Sequence, residues 1–434
     1  MLDFFRNRPA PMANPRTPTG FEHTLLLGWD FSRGNAEPVT YDGDAPLLTC
    51  ASTGSGKGRG VLIPNLLCNS GSVIVIDIKG ELFQVTGRAR REMGHRVVVL
   101  DPFHLVTSRS DSLNPFDLFD LPGSDMDSDA EMLASLLATG HGFSDDPYWE
   151  TSATSLVAAF ISVIAGFDCN QSMLSNRHLG FLRQSLFLDD MDARIGNLVK
   201  DNGVWRRLAR EQFIAYLAAP AEKTRPCIRT MACSYMNALG SERVLATLQS
   251  SSFSLQDVHD GKPLTIYLVI PPDKLHSHAT LLRLWIGTLL TAVMRRKVMP
   301  RQRTLFLLDE CAQLGALPML RTAITLLRGS GLITHTYWQD LSQLRQVYPK
   351  DWQSILNNSG MLQAFGFTNH QMAAEWSELT GQPVGDLDRM PRCDALVLRQ
   401  GQGSLICQRP DYLKDPLFAG RFDANPRFSL QARA

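Results

Sequence analysis

The chain has 434 residues, 44% of them hydrophobic and 20% charged, which fits a folded soluble protein with a large core and two structural units. Its 43 Lys+Arg balance 43 Asp+Glu, so a global basic field is excluded and any contact with nucleic acid must come from local patches. Eight cysteines without C-x-x-C spacing exclude a zinc ribbon of that kind and read as buried thiols in a reducing compartment.

The N-terminus carries Arg6, Arg8 and Arg16 without an apolar core, so it does not read as a signal peptide. Pro9, Pro11, Pro15 and Pro18 predict a loose arm over residues 1–20. A first strand over 46–51 feeds a glycine-rich loop, 52–60, and a helix over 61–68. Apolar runs at 72–77 and 96–101 follow, separated by a polar helical stretch. Strands that read as continuous Val, Ile and Leu are those buried on both faces, as in a parallel sheet flanked by helices. The pattern predicts a doubly wound α/β unit.

From residue 124 to 254 the signal is helical, which predicts an all-α domain inserted between a first nucleotide-binding part, 21–123, and a second, 255–434. One helix starts at Asp146-Pro147, an acidic cap followed by proline. Trp149, Ala153, Leu156, Phe160, Val163 and Phe167 make its buried stripe. The apolar runs 156–166 and 284–294 are too short to span a bilayer, which needs roughly 20 residues. The α/β signal resumes at 264–270, with an amphipathic helix over 279–297 and strands at 304–309, 332–338 and 361–367. The runs 395–399 and 404–408 flank Gly401-Gln402-Gly403 and predict a hairpin.

Ala51-Ser52-Thr53-Gly54-Ser55-Gly56-Lys57-Gly58 sits between strand and helix, the setting of a phosphate-binding loop. Gly54 and Gly56 let backbone N–H groups curl round phosphates, Lys57 supplies a cation, and the next helix points its N-terminus at the same anion. Thr53, Gly54, Ser55, Gly56, Lys57, Gly58 and Arg59 are the candidate nucleotide-binding residues. Gly58 stands where the consensus has the hydroxyl that ligates Mg²⁺. The run Thr304-Leu305-Phe306-Leu307-Leu308-Asp309-Glu310 ends in two carboxylates, placing Asp309 as the metal ligand and Glu310 as the group that polarises an attacking water. Together these imply ATP and Mg²⁺. Arg328 sits before Gly329 at a helix end, and spacing alone reads it as a cation at a helix C-terminus. The alternative is an arginine finger reaching a neighbouring subunit's γ-phosphate. Gln339 follows a strand and either senses that phosphate or caps the strand.

Several blocks resemble the TraG/TraD-type coupling proteins of conjugation and type IV secretion. They are Gly54 to Gly60 with Ile63-Pro64-Asn65, then Asp77-Ile78-Lys79-Gly80-Glu81, Asp101-Pro102-Phe103 with Asn114-Pro115, and Asp309-Glu310 with Leu314-Gly315. Leu327-Arg328-Gly329 and Gln339-Asp340-Leu341 complete the set, in family order across most of residues 40–415. The resemblance implies a RecA-like P-loop NTPase domain with a mainly parallel sheet and an inserted all-α domain. It implies an ATPase, a homo-hexamer when active, that links a relaxase, relaxosome or secreted protein to the secretion channel. Partners would be single- or double-stranded DNA without sequence specificity, the channel ATPases and inner-membrane components. It places Arg328 where the family carries a trans-acting arginine, makes Gln339 the family's motif glutamine and treats Gly58 as a family trait. Members usually begin with a transmembrane region, and only about fifty residues precede this loop. The expectation is a cytoplasmic protein, held at the inner membrane if at all through a partner.

Two other functions compete. One is a nucleotide-gated cargo adaptor without motor activity, motivated by Gly58. The other is a soluble DNA motor of the FtsK/HerA kind, against which the helical insertion and the block at 339–344 count. Arg206, Arg207 and Arg210, and Arg295, Arg296, Lys297, Arg301 and Arg303, read as solvated helix ends, or as patches that line a DNA channel on assembly. His276 and His278 lack nearby ligands for a metal, and Tyr148, Trp149 and Trp285 read as core.

Overall fold

The apolar runs assemble into one 11-stranded sheet in the computed structural model, which describes residues 24–138, 146–166, 176–200 and 206–427. In chain order the strands are β1 (Leu25–Asp30), β2 (Glu37–Tyr41), β3 (Leu47–Ala51), β4 (Val73–Asp77), β5 (Arg96–Leu100) and β6 (Leu264–Val269). They continue with β7 (Thr304–Leu308), β8 (Leu332–Trp338), β9 (Met361–Phe365), β10 (Asp394–Arg399) and β11 (Gly403–Gln408). Their order across the sheet is β2-β1-β11-β10-β9-β3-β8-β7-β4-β6-β5. From β9 to β5 every neighbouring pair is parallel, and the remaining strands form an antiparallel flank.

In β4 the side chains of Val73 and Val75 enter one core, and those of Ile74 and Ile76 enter the other. Both faces are dry, which is why this strand shows no polar alternation. One face is covered by helices Ile63–Cys68 and Glu81–Glu92, the other by Ala279–Met294 and the helical layer beyond it. No strand occurs among the described residues between β5 and β6, a stretch that holds the helices Met126–Ala138, Pro147–Ala165, Leu179–Phe187, Met191–Lys200, Arg207–Ala218 and Thr224–Tyr235.

The 19-residue helix Pro147–Ala165 begins as expected, Asp146 accepting a hydrogen bond from the Tyr148 N–H at 3.0 Å. By length and mean hydropathy it is the one helix among the described residues able to cross a membrane, whereas the sequence alone shows only the run 156–166 as apolar, which is too short. More than half of it is buried against Met126–Ala138, Arg207–Ala218 and Thr224–Tyr235. Tyr148 is 49% exposed, contrary to its expected place in the core, because it precedes the first buried turn.

The expected amphipathic helix at 279–297 ends at Met294 and is buried all round from Thr280 to Val293, since the sheet lies on one side and the helical layer on the other. The β1–β2 hairpin gave no clear signal in sequence. It is anchored at long range, where Asn65 donates to the Leu26 carbonyl at 3.1 Å and accepts from its N–H at 2.9 Å. Asp101 accepts from the N–H groups of Leu105, Val106 and Thr107 at 2.8–3.0 Å, so this member of a family block builds a loop. Cys50, Cys68, Cys311 and Cys407 are buried thiols, whereas Cys227 and Cys393 are exposed. The arm at 1–20, Phe167 and Cys169 lie outside the described residues.

Candidate functional site

Strand β8 lies between β3 and β7, so the C-terminal ends of these three parallel strands open side by side. In such sheets the crevice beyond the carboxyl ends is where ligands bind. Strand β3 runs into the glycine-rich loop, β7 into Asp309-Glu310 and β8 into Gln339. Gly54 (φ 76°) and Gly56 (φ 95°) take left-handed conformations that a side chain would strain. Ser55 does not line the cleft: its Oγ donates to the Ser52 carbonyl at 2.6 Å and ties the loop to itself. The first turn of the following helix, Gly58–Leu62, is a wide π turn. A Cβ built on Gly58 would meet nothing within 4 Å, so space does not explain the missing hydroxyl.

Lys57 Nζ lies 2.7 Å from Glu310 Oε1 and 3.5 Å from Asp309 Oδ1. Gln339 Nε2 donates to Glu310 Oε2 at 3.2 Å, and the Glu310 N–H donates to Asp309 Oδ1 at 3.0 Å. Burial by itself would lower the Lys57 ammonium, but Asp309 and Glu310 outweigh it and hold its pKa above the ordinary value. Burial pushes the Asp309 carboxyl up, an effect partly opposed by Lys57. Glu310 has φ 50°, a left-handed conformation costly for a residue with a side chain, and such strain gathers at functional sites.

The cleft has a volume of about 840 Å³ and is lined by Thr53, Gly54, Gly56, Lys57, Gly58, Arg59, Asp309, Glu310 and Gln339 among the expected residues. Arg328 is not in its lining. It stands exposed in the turn after helix Pro318–Leu326, rather than on that helix, and its Nη2 donates to the Asn358 carbonyl at 2.7 Å. Sequence reasoning missed Gln313, Tyr412, Leu413, Phe422 and Asn425, which also line the cleft. They carry no motif, and only the return of the C-terminal chain brings four of them there.

A buried polar chain sets the loop strand. The Tyr337 hydroxyl lies 3.0 Å from His335 Nδ1, His335 Nε2 lies 2.8 Å from Thr49 Oγ1, and Thr49 donates to Gln363 Oε1 at 3.0 Å. Burial pushes the imidazole down to about 3, so it is neutral, and one tautomer, protonated on Nε2, satisfies every partner. The chain locks β3, β8 and β9 in register below Lys57 and Gln339.

Asp77 ends β4 in the wall of the cleft and accepts from the Phe83 N–H at 2.9 Å. Burial pushes its carboxyl up to about 7, against the hydrogen bonds from Phe83 and Leu82. A folded value above the ordinary one favours the protonated form, so this contribution to stability is full below about pH 4 and is lost as pH rises through 7. Asp77→Asn is therefore expected to flatten the pH dependence of urea unfolding between these limits and to stabilise the protein at pH 8, by at most roughly 4 kcal/mol. An unchanged slope would show that the native carboxyl titrates normally.

Several basic residues considered for DNA are committed elsewhere. Arg295 binds Asp129 and the Leu118 carbonyl, Arg296 the carbonyls of Val258 and His259, and Arg303 those of Asp42 and Gly43. Arg206, Arg207 and Arg210 are exposed, with Arg207 paired to Glu211 at 2.7 Å.

The sheet order, the inserted helices and this cleft define a RecA-like P-loop NTPase fold. A family model described as Type IV secretory system Conjugative DNA transfer matches residues 25–384. The chain belongs to that family, as a type IV coupling protein. It is 25% identical over 405 residues to the conjugal transfer protein TraG of Escherichia coli, covering 88% of this chain and 61% of that protein. With protein VirD4 of Agrobacterium fabrum it shares 29% over 328 residues, 72% of this chain and 46% of that one. The chain thus spans about half to three-fifths of the length of these relatives. Among solved structures, plasmid coupling protein TrwB in complex with the ATP analogue ADPNP gives a TM-score of 0.66 at 18% identity, covering 85% of this chain and 86% of TrwB. An unbound TrwB lacking its N-terminal segment gives 0.68 at 16%, covering 89% and 88%. At these identities the likeness is one of fold.

Proposed function

We propose that this chain is the ATP-hydrolysing unit of a coupling protein that recruits DNA, nucleoprotein or protein substrates and helps drive them into a type IV secretion channel. The observation that carries the reading is the meeting of Lys57, Asp309, Glu310 and Gln339 at the ends of three adjacent strands. Lys57 and the loop N–H groups take the β and γ phosphates. Asp309 would hold Mg²⁺, which neutralises phosphate charge and is ordinarily bound by one or two carboxylates together with the nucleotide. The raised pKa of Asp309 fits that role, since a buried carboxyl gains from a cation beside it. With Lys57 drawn to phosphate, Glu310 is freed to orient a water, and Gln339 steadies its second oxygen. TrwB bound to ADP and Mg²⁺ supports the cofactor assignment by relationship of fold.

Arg328 is read as acting on the neighbouring subunit of a homo-hexamer, because its own cleft does not contain it. The partners proposed are DNA of either strandedness, a relaxase or secreted cargo, and the channel's ATPases and inner-membrane components. The site of action is the cytoplasmic side of the inner membrane. Gly58 favours one rival, a nucleotide-gated adaptor that turns over slowly.

Steady-state ATP hydrolysis with and without single-stranded DNA, beside native mass, separates the two. The motor reading expects DNA to stimulate turnover and to favour a larger assembly. Unstimulated turnover, with cargo binding retained in Lys57→Ala protein, would establish the adaptor instead.

A further inference from the structure

We propose that the C-terminal segment 409–425 forms the nucleoside seat of the cleft, with Leu413 and Phe422 as the surface on which base and ribose rest. This rests on the reading of the Lys57 loop as the phosphate site.

After β11 the chain crosses the mouth of the cleft and is tied down on both sides. On the loop side, Arg59 grips Asp411 through two bonds of 2.6 Å, and Arg409 Nη1 donates to the Gly56 carbonyl at 3.3 Å. On the far side, Asn425 Nδ2 donates to Glu81 Oε1 and Arg88 Nε to Asp423 Oδ1, each at 2.7 Å. Between these ties the strap presents an apolar surface to the cleft. Tyr412 is buried and meets the Phe422 ring edge-on at 4.9 Å, Phe422 is half-buried, and Leu413 remains 52% exposed. Pro272, Leu275 and Leu82 face the same space.

A triphosphate alone leaves this apolar half unused, and the cleft, about 840 Å³, lies within the range of whole-ligand sites. The molecule whose phosphates bind the loop must place its nucleoside within a few ångströms, so the occupant is the rest of the same nucleotide. Flat bases bury well against apolar and aromatic side chains. The ties to Gly56 and Arg59 also mean that the seat and the phosphate loop are held as one body. Glu81, for which the sequence offered no role, clamps the far end of the strap.

The test compares ATP with inorganic tripolyphosphate by calorimetry in Mg²⁺ buffer, using the full chain. Leu413→Ser changes an exposed side chain, and Phe422→Ala serves as a second, independent variant. Each is expected to raise the Kd for ATP by about tenfold or more while leaving that for tripolyphosphate unchanged. Lys57→Ala is expected to weaken both ligands. Wild-type affinity for ATP in both variants would overturn the seat, and so would equal losses for the two ligands, which would mean that the strap only braces the loop. Failure of wild-type protein to bind either ligand would overturn the phosphate reading and the seat with it.

Discussion

Arg328→Ala is expected to lower ATP turnover by about 10³-fold or more, the usual worth of an arginine that reaches transition-state charge, without weakening ATP binding by the same chain. The side chain is exposed, sits in a glycine-flanked turn with Gly329 at φ 84°, and donates to the Asn358 carbonyl and to Gln400 Oε1, neither of which lines the cleft. Nothing in its own protomer directs it to the cleft, so an effect on chemistry has to come through a neighbour. Mixing provides the decisive measurement. Arg328→Ala subunits keep an intact cleft, and Glu310→Gln subunits keep the arginine, so mixed assemblies contain some complete sites. Their turnover is expected to exceed that of either variant alone. If native mass shows mixed assemblies and turnover stays at background, the trans role is wrong and the residue acts as a local turn anchor.

Glu310→Gln is expected to reduce kcat by about 10²-fold or more, since the amide keeps the size of the side chain but cannot take a proton from water. Binding of ATP should hold or improve. The substitution removes the ion pair of 2.7 Å that draws Lys57 toward Glu310, leaving the ammonium available to phosphate. Lys57→Ala should behave in the opposite manner, losing nucleotide binding first. A Glu310→Gln protein with wild-type kcat would move the catalytic base elsewhere, and Asp309, 3.5 Å from Lys57, would be the next group to test. Chemical unfolding should accompany both assays, because each substitution removes one partner of the partly buried Lys57–Glu310 ion pair and leaves the other without it.

The two predictions bracket one division of labour. Lys57, Asp309, Glu310 and Gln339 belong to the cleft of one protomer, whereas Arg328 is presented outward from it. An ATPase that hydrolyses at subunit boundaries needs this arrangement, because each subunit's chemistry then depends on its neighbour's position. That dependence is what would couple turnover to movement of a substrate through a ring.

Much of the nucleotide site was legible along the chain because its parts are local. A strand, a glycine-rich turn and a helix that follow one another in sequence announce a phosphate loop, and an apolar run ending in Asp309-Glu310 announces its acidic partner. Buried parallel strands were also readable, because burial on both faces leaves no polar alternation to confuse them. Four features were decided only by tertiary structure. Strand order brings Lys57 against Glu310 across 253 residues, an adjacency that no spacing encodes. Arg295 and Arg296 look like free cations in sequence, yet they are consumed by Asp129 and by carbonyls at element ends. Tyr148 lies outside the core because the helix Pro147–Ala165 buries its residues only from the second turn onward. The strap at 409–425 is held at the cleft by long-range bonds to Gly56, Arg59, Glu81 and Arg88. Local patterns record which backbone a segment prefers and which face it buries. Contacts between distant segments depend on how the strands order themselves in the sheet, and that order is settled by the whole core at once.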